Sequence, residues 1–138
     1  MAKAKKAVAK SSFVEKNLQT ALEKLAVATA AVDKAVTVRT ADAKRNLTAV
    51  KRLTKRKATQ TKRKKLAAGR VKKASSVETR GALRTVTKDL AATTKELAKV
   101  RAAKAANAEE LKALKASQRR IKGYNKGIAQ TDRALNKK

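Results

Sequence analysis

The stretch LRTVTKDLAATTKELAKVRAAKAANAEELKALKASQRRIKGYNKGIAQTDRAL, residues 83–135, carries the most regular apolar spacing in the chain. Leu83, Val86, Leu90, Leu97, Val100, Leu111, Leu114, Ile121, Ile128 and Leu135 keep one alternating three-four spacing along it. Thr93, Lys104, Asn107, Gln118, Asn125 and Asp132 fill the remaining slots of the same rhythm. An average step of 3.5 residues holds all of these positions on one side of a helix, which is the pattern of a seam that packs against another helix. The polar slots weaken the seam without abolishing it. A continuous helix over this span would be roughly 80 Å long.

The first half carries the same rhythm in Leu18, Leu22, Leu25, Val32, Val36, Ala43, Val50 and Leu53, with Thr29, Arg39 and Asn46 in the other slots. Beyond Leu53 charge takes over and the seam is expected to end. Ala, Lys, Leu, Arg, Gln and Glu favour helix, and no proline interrupts the chain, so helix is the expectation nearly throughout. Residues 1–12 hold four Lys and no acid and read as a basic mobile tail. Ser12 with Glu15 three positions later fits a capping box that would open a first long helix over 13–66. Gly69, Ser75 and Ser76 place a hinge over 67–76, with Ser76 as N-cap of a second long helix over 77–138. The fold class is therefore all-α: a long antiparallel helical hairpin, each seam covering the other, or a coiled coil. A seam does not say whose seam it meets, so a homo-oligomer is the rival arrangement. A chain that gains its helices only on a polyanion is the third reading.

Composition narrows the function. The 138 residues include 38 Lys or Arg against 10 Asp or Glu, for a formal net charge of +28, and there is no His, Cys, Pro or Trp. Without His or Cys the chain lacks a thiol nucleophile, an imidazole base, a disulfide framework and the usual zinc ligands, so no enzyme, metal or cofactor is expected. Ala accounts for 30 residues, while Leu, Ile, Val and Phe together account for 26, too few for a thick core. The longest uncharged run, Leu25 to Val32, spans eight residues, too short to cross a bilayer. The basic opening is not followed by the apolar segment of a secretory signal. A charge of this size calls for a polyanionic partner.

The charge is ordered. From Ala43 to Val77 no acid occurs, and this arm holds Lys44, Arg45, Lys51, Arg52, Lys55, Arg56, Lys57, Lys62, Arg63, Lys64, Lys65, Arg70, Lys72 and Lys73. The doublets Lys44-Arg45, Lys51-Arg52, Lys55-Arg56 and Lys62-Arg63 are 7, 4 and 7 residues apart. At 100° per residue they return to within about 20° of one direction, so they share a helical face about 28 Å long, with Leu47, Val50 and Leu53 pointing away. A row of flexible cations displaces the counterions condensed on a phosphate backbone without matching any base. Asn and Gln, which would read adenine, are scarce on this face, so phosphate contact without sequence specificity is expected. Phe13 and Tyr124 are the only aromatic residues, too few for the stacking platforms of single-strand binders. Tyr124 reads as a helix-surface or packing residue. Duplex DNA is thus favoured over RNA, with no small-molecule substrate and no membrane partner.

Other motifs carry less. Gly123-Tyr-Asn-Lys-Gly127 has GxxxG spacing in charged surroundings that deny it a membrane role. Gly69-Arg-Val-Lys-Lys-Ala-Ser lacks the second glycine of a P-loop. Glu109-Glu110 lies beside Lys104, Lys112 and Lys115 as helix-face pairing. The opening Ala-Lys-Ala-Lys-Lys-Ala-Val-Ala-Lys and the stretch Lys62-Arg-Lys-Lys-Leu-Ala-Ala resemble the lysine- and alanine-rich bacterial histone H1-like proteins. That resemblance is compositional, and it implies a protein that coats and compacts DNA. The chain departs from the pattern in lacking Pro-containing Lys-Ala repeats and in carrying heptads in both halves. The expected setting is cytoplasmic, on a nucleoid, or inside a virion, and nuclear if the host is eukaryotic. The alternatives are a basic helical factor bound to the ribosome or RNA, and a coiled-coil adaptor for an acidic protein.

Overall fold

The computed structural model describes residues 2–136, with side chains from Ser12 onward. Two helices account for almost all of it: α1, Ala2–Lys73, and α2, Val77–Leu135. They pack against each other as an all-α hairpin. No described helix is long and apolar enough to cross a membrane.

Two boundaries differ from those expected. Residues 2–12, read as a tail, are the first turns of α1, while Met1, Lys137 and Lys138 lie outside the described residues. Ser12 and Glu15 consequently lie inside α1 and cap nothing. The break is also narrower than 67–76, since α1 runs through Gly69 to Lys73 and only residues 74–76 are non-helical between the two helices. A single interior glycine costs a helix about 1 kcal/mol, which a packed neighbour readily offsets.

Capping places the real break. The Thr79 N–H donates to Ser76 Oγ at 3.1 Å, and the Ser76 N–H donates to Thr79 Oγ1 at 2.9 Å, a reciprocal pair that starts α2. The Thr79 hydroxyl lies 3.0 Å from the Ala74 carbonyl, which ties the two helix ends together. Arg70, Lys72 and Lys73 occupy the last turn of α1 and Glu78 the first turn of α2, each favourable to the helix dipole it meets.

The chain divides into two compact units: residues 1–38 with 111–138, and residues 39–110. In the first, Gln118 Nε2 donates to Asp33 Oδ1 at 2.6 Å, and Asn125 Nδ2 donates to Thr29 Oγ1 at 3.2 Å. Thr29 in turn donates to the Leu25 carbonyl at 2.8 Å, so polar seam residues complete one another's hydrogen bonds. Leu25, Val32, Val36, Leu111, Leu114, Ile121 and Ile128 are half-buried between the helices. Leu18, Leu22 and Leu135, expected in the seam, are instead exposed.

The second unit holds all the buried residues found among those described: Leu53, Leu97, Gln60, Thr93 and Asn107. Asn107 Nδ2 donates to the Arg39 carbonyl at 2.9 Å, and Arg39 pairs with Glu110 at 2.6 Å. That ion pair is exposed and contributes about 0–1 kcal/mol, so it orients the helices of the hairpin more than it stabilises them. The seam of α1 does not end at Leu53. Lys57, Gln60, Lys64, Ala67 and Val71 continue its three-four spacing and are buried or half-buried. Half-burial suits the two Lys, because a lysine's long aliphatic stem can cover apolar surface while its ammonium group reaches water.

Gln60 carries the clearest cost. Its Oε1 is buried without a hydrogen-bond partner. Gln60→Leu is expected to stabilise the chain by about 1–2 kcal/mol, read as a higher urea midpoint at unchanged m-value. An unchanged or lower midpoint would show that the amide is satisfied in solution.

Candidate nucleic-acid interface

The arm from Lys44 to Lys73 lies entirely in the second unit, on α1. This unit has 22 Lys or Arg and 6 Asp or Glu. Because the seam runs through Ala43, Val50, Lys57, Lys64 and Val71, the positions one residue later form a row turned about 100° away from it. That row holds Lys44, Lys51, Lys65 and Lys72, with Ala58 as its one gap, at steps of about 10.5 Å. Arg56, Arg63 and Arg70 form a second row at the same period, and Lys55 with Lys62 lie between the two. Arg45, Arg52 and Lys73 are turned about 100° from the first row and lie nearer the second.

Twelve of the fourteen arm cations are exposed. Lys57 and Lys64 are the exceptions. They belong to the seam, so they leave the outward face on which the doublets lie. Val50 and Leu53 point into the hairpin as expected, whereas Leu47 sits at the seam's edge and is 42% exposed. Leu66, among the arm cations, is exposed as well.

Few carboxylates compete for these cations. Asp42, just before the arm, sits 3.8 Å from Arg45 and 3.9 Å from Arg39. Among the described residues no other arm cation makes an ion pair within 4.0 Å. Their charge is therefore available to an external anion. The helix beneath is held by the best-packed stretch of the hairpin, with Leu53 and Leu97 at 1% and 3% exposure, so the row spacing is fixed before any ligand arrives. Preorganisation of this kind reduces the ordering cost of binding.

The second helix adds cations outside the acid-free arm. Arg80, Arg84 and Lys88 recur every four residues near the start of α2 and line a groove of about 670 Å³ with Leu83, Thr85 and Thr87. Their spacing was visible, but Glu78 and Asp89 nearby broke the acid-free pattern that marked α1. Tyr124, in the first unit, is 62% exposed on the helix surface, where a packing or surface residue was expected. Among the described residues no group of three or more His, Cys, Asp or Glu side chains is placed to hold a metal ion. Compared with known proteins, the chain matches no family model, no curated protein and no solved structure.

Proposed function

We propose that this protein binds duplex DNA without sequence preference and compacts it by neutralising phosphates. The observation that carries the reading is the acid-free arm of α1, with twelve exposed cations arranged in seven-residue rows on the outer side of a packed helix. Lys44, Arg45, Lys51, Arg52, Lys55, Arg56, Lys62, Arg63, Lys65, Arg70, Lys72 and Lys73 make the phosphate contacts. Lys57 and Lys64 support the helix from the seam. Binding draws on counterion release and needs neither cofactor nor catalytic group. The compositional resemblance to histone H1-like proteins points the same way, and the setting it suggests is a bacterial nucleoid or a virion that packages its genome with protein.

Duplex is preferred because the face offers charge without stacking surface. Competition at fixed ionic strength tests this. Unlabelled duplex DNA is expected to displace a labelled duplex at lower nucleotide concentration than single-stranded DNA or a structured RNA. Stronger displacement by the RNA, together with cosedimentation on ribosomes after removal of DNA by nuclease, would replace this reading with an RNA-bound factor. Displacement by none of them would leave an acidic protein as the partner.

A further inference from the structure

In the first unit, α2 repeats the logic of the arm in another form. From Leu111 onward, nearly every seam residue is followed by a cation: Leu111-Lys112, Leu114-Lys115, Gln118-Arg119, Ile121-Lys122 and Asn125-Lys126. Ile128-Ala129 is the one lapse before Asp132-Arg133. The cations thereby inherit the seam's own three-four spacing, so they form a stripe parallel to it and rotated by about 100°. Between Leu111 and Thr131 there is no acid. Lys112, Lys115, Arg119, Lys122, Lys126 and Arg133 are all exposed, and among the described residues none makes an ion pair.

The remaining surface of this helix segment decides between a site and a general coat of charge. The positions away from both seam and stripe hold small or neutral residues such as Ala113, Ala116, Ser117, Gly123, Tyr124 and Gln130, with Arg120 as the sole cation among them. Charge that served only to keep the chain dispersed would be spread over that surface as well. Lys112 to Arg133 spans about 32 Å of helix, close to the length of one turn of duplex DNA.

We infer that this stripe is a second phosphate-binding surface, separate from the arm, and that the chain is bivalent: one unit engages one duplex segment and the other unit a second. This rests on the duplex-binding reading above. One molecule then links two DNA segments without a second copy of itself, which gives compaction a mechanism that simple neutralisation lacks.

A bridging assay with the full chain tests it. Duplex is fixed to beads, protein is added, and capture of a second, fluorescent duplex is measured at about 0.1 M salt. Wild-type protein captures it. Replacing Lys112, Arg119 and Lys126 by Gln is expected to leave protein on the beads through the arm but to reduce capture by at least about tenfold. Replacing Lys16, Lys24 and Lys34 by Gln removes the same net charge from α1 of the same unit and should leave capture near the wild-type level. Lys112→Arg with Lys126→Arg, Arg119 being kept, should retain capture, which separates loss of charge from loss of fold. Equal capture by the stripe variant and wild type, or an equal loss in both Gln variants, would overturn the inference while leaving duplex binding intact. Failure of the wild-type chain to bind the beads at all would refute the duplex-binding reading itself.

Discussion

Replacing Lys51, Arg52, Lys55 and Arg56 together by Gln is expected to reduce the slope of log K against log salt by about 4 and to weaken duplex binding by about 10³-fold at 0.1 M salt. The four side chains are exposed and unpaired among the described residues, so each is free to displace about one counterion from the backbone. If the wild-type footprint covers about 6–10 phosphates, its affinity falls by roughly 10³–10⁵ between 50 and 200 mM salt. The measurement is a set of fluorescence anisotropy titrations at several salt concentrations. Lys57→Gln with Lys64→Gln makes an internal comparison, because these cations lie in the seam and should change the slope much less. An unchanged slope in the fourfold variant would remove the arm from the footprint. Binding that does not respond to salt would remove phosphate neutralisation as the mechanism.

The second large effect is on the hairpin itself. Leu97→Ala and Leu53→Ala are each expected to cost about 2–5 kcal/mol, since a buried Leu loses both its transfer energy and the contacts around the cavity left behind. Both side chains are almost wholly covered, and the other buried residues of the unit, Gln60, Thr93 and Asn107, are polar. With so few buried aliphatic side chains, either loss is a large share of the total stability. Thermal melting followed by circular dichroism should show a large drop in midpoint for both variants. Leu66→Ala, at a site 67% exposed, should stay within about 0.5 kcal/mol of wild type. If duplex DNA binds the folded arm as proposed, it should raise the midpoints of all three by mass action. Melting of Leu97→Ala at the wild-type temperature would mean that the two seams are not packed in solution.

Much of this was readable from residue spacing. The seam of α2 appears in the structure largely where the three-four pattern put it, from Leu83 to Ile128, because aliphatic residues at a fixed period have few other helical solutions. The outward direction of the doublets followed from the same geometry. The seam of α1 beyond Leu53 was not readable, since Lys57, Gln60 and Lys64 look like surface residues until a partner helix lies against their stems. Gly69 looked like a hinge because its cost is intrinsic, while the packing that offsets the cost belongs to the neighbouring helix. The cationic stripe from Lys112 to Arg133 was hidden for a similar reason. Its members stand out only once the seam that they shadow is known to be covered.

A helical chain with two seams and an acid-free arm follows from the residues alone, because helix propensity, heptad period and charge order are local properties. Whose seam meets whose is not local. The tertiary structure decided for a hairpin within one chain through contacts between distant residues: Asn107 with Arg39, Gln118 with Asp33 and Asn125 with Thr29. Packing of the two helices also separated the cations that face solvent from Lys57 and Lys64 in the seam, since burial depends on the partner surface and a periodic pattern supplies only the direction.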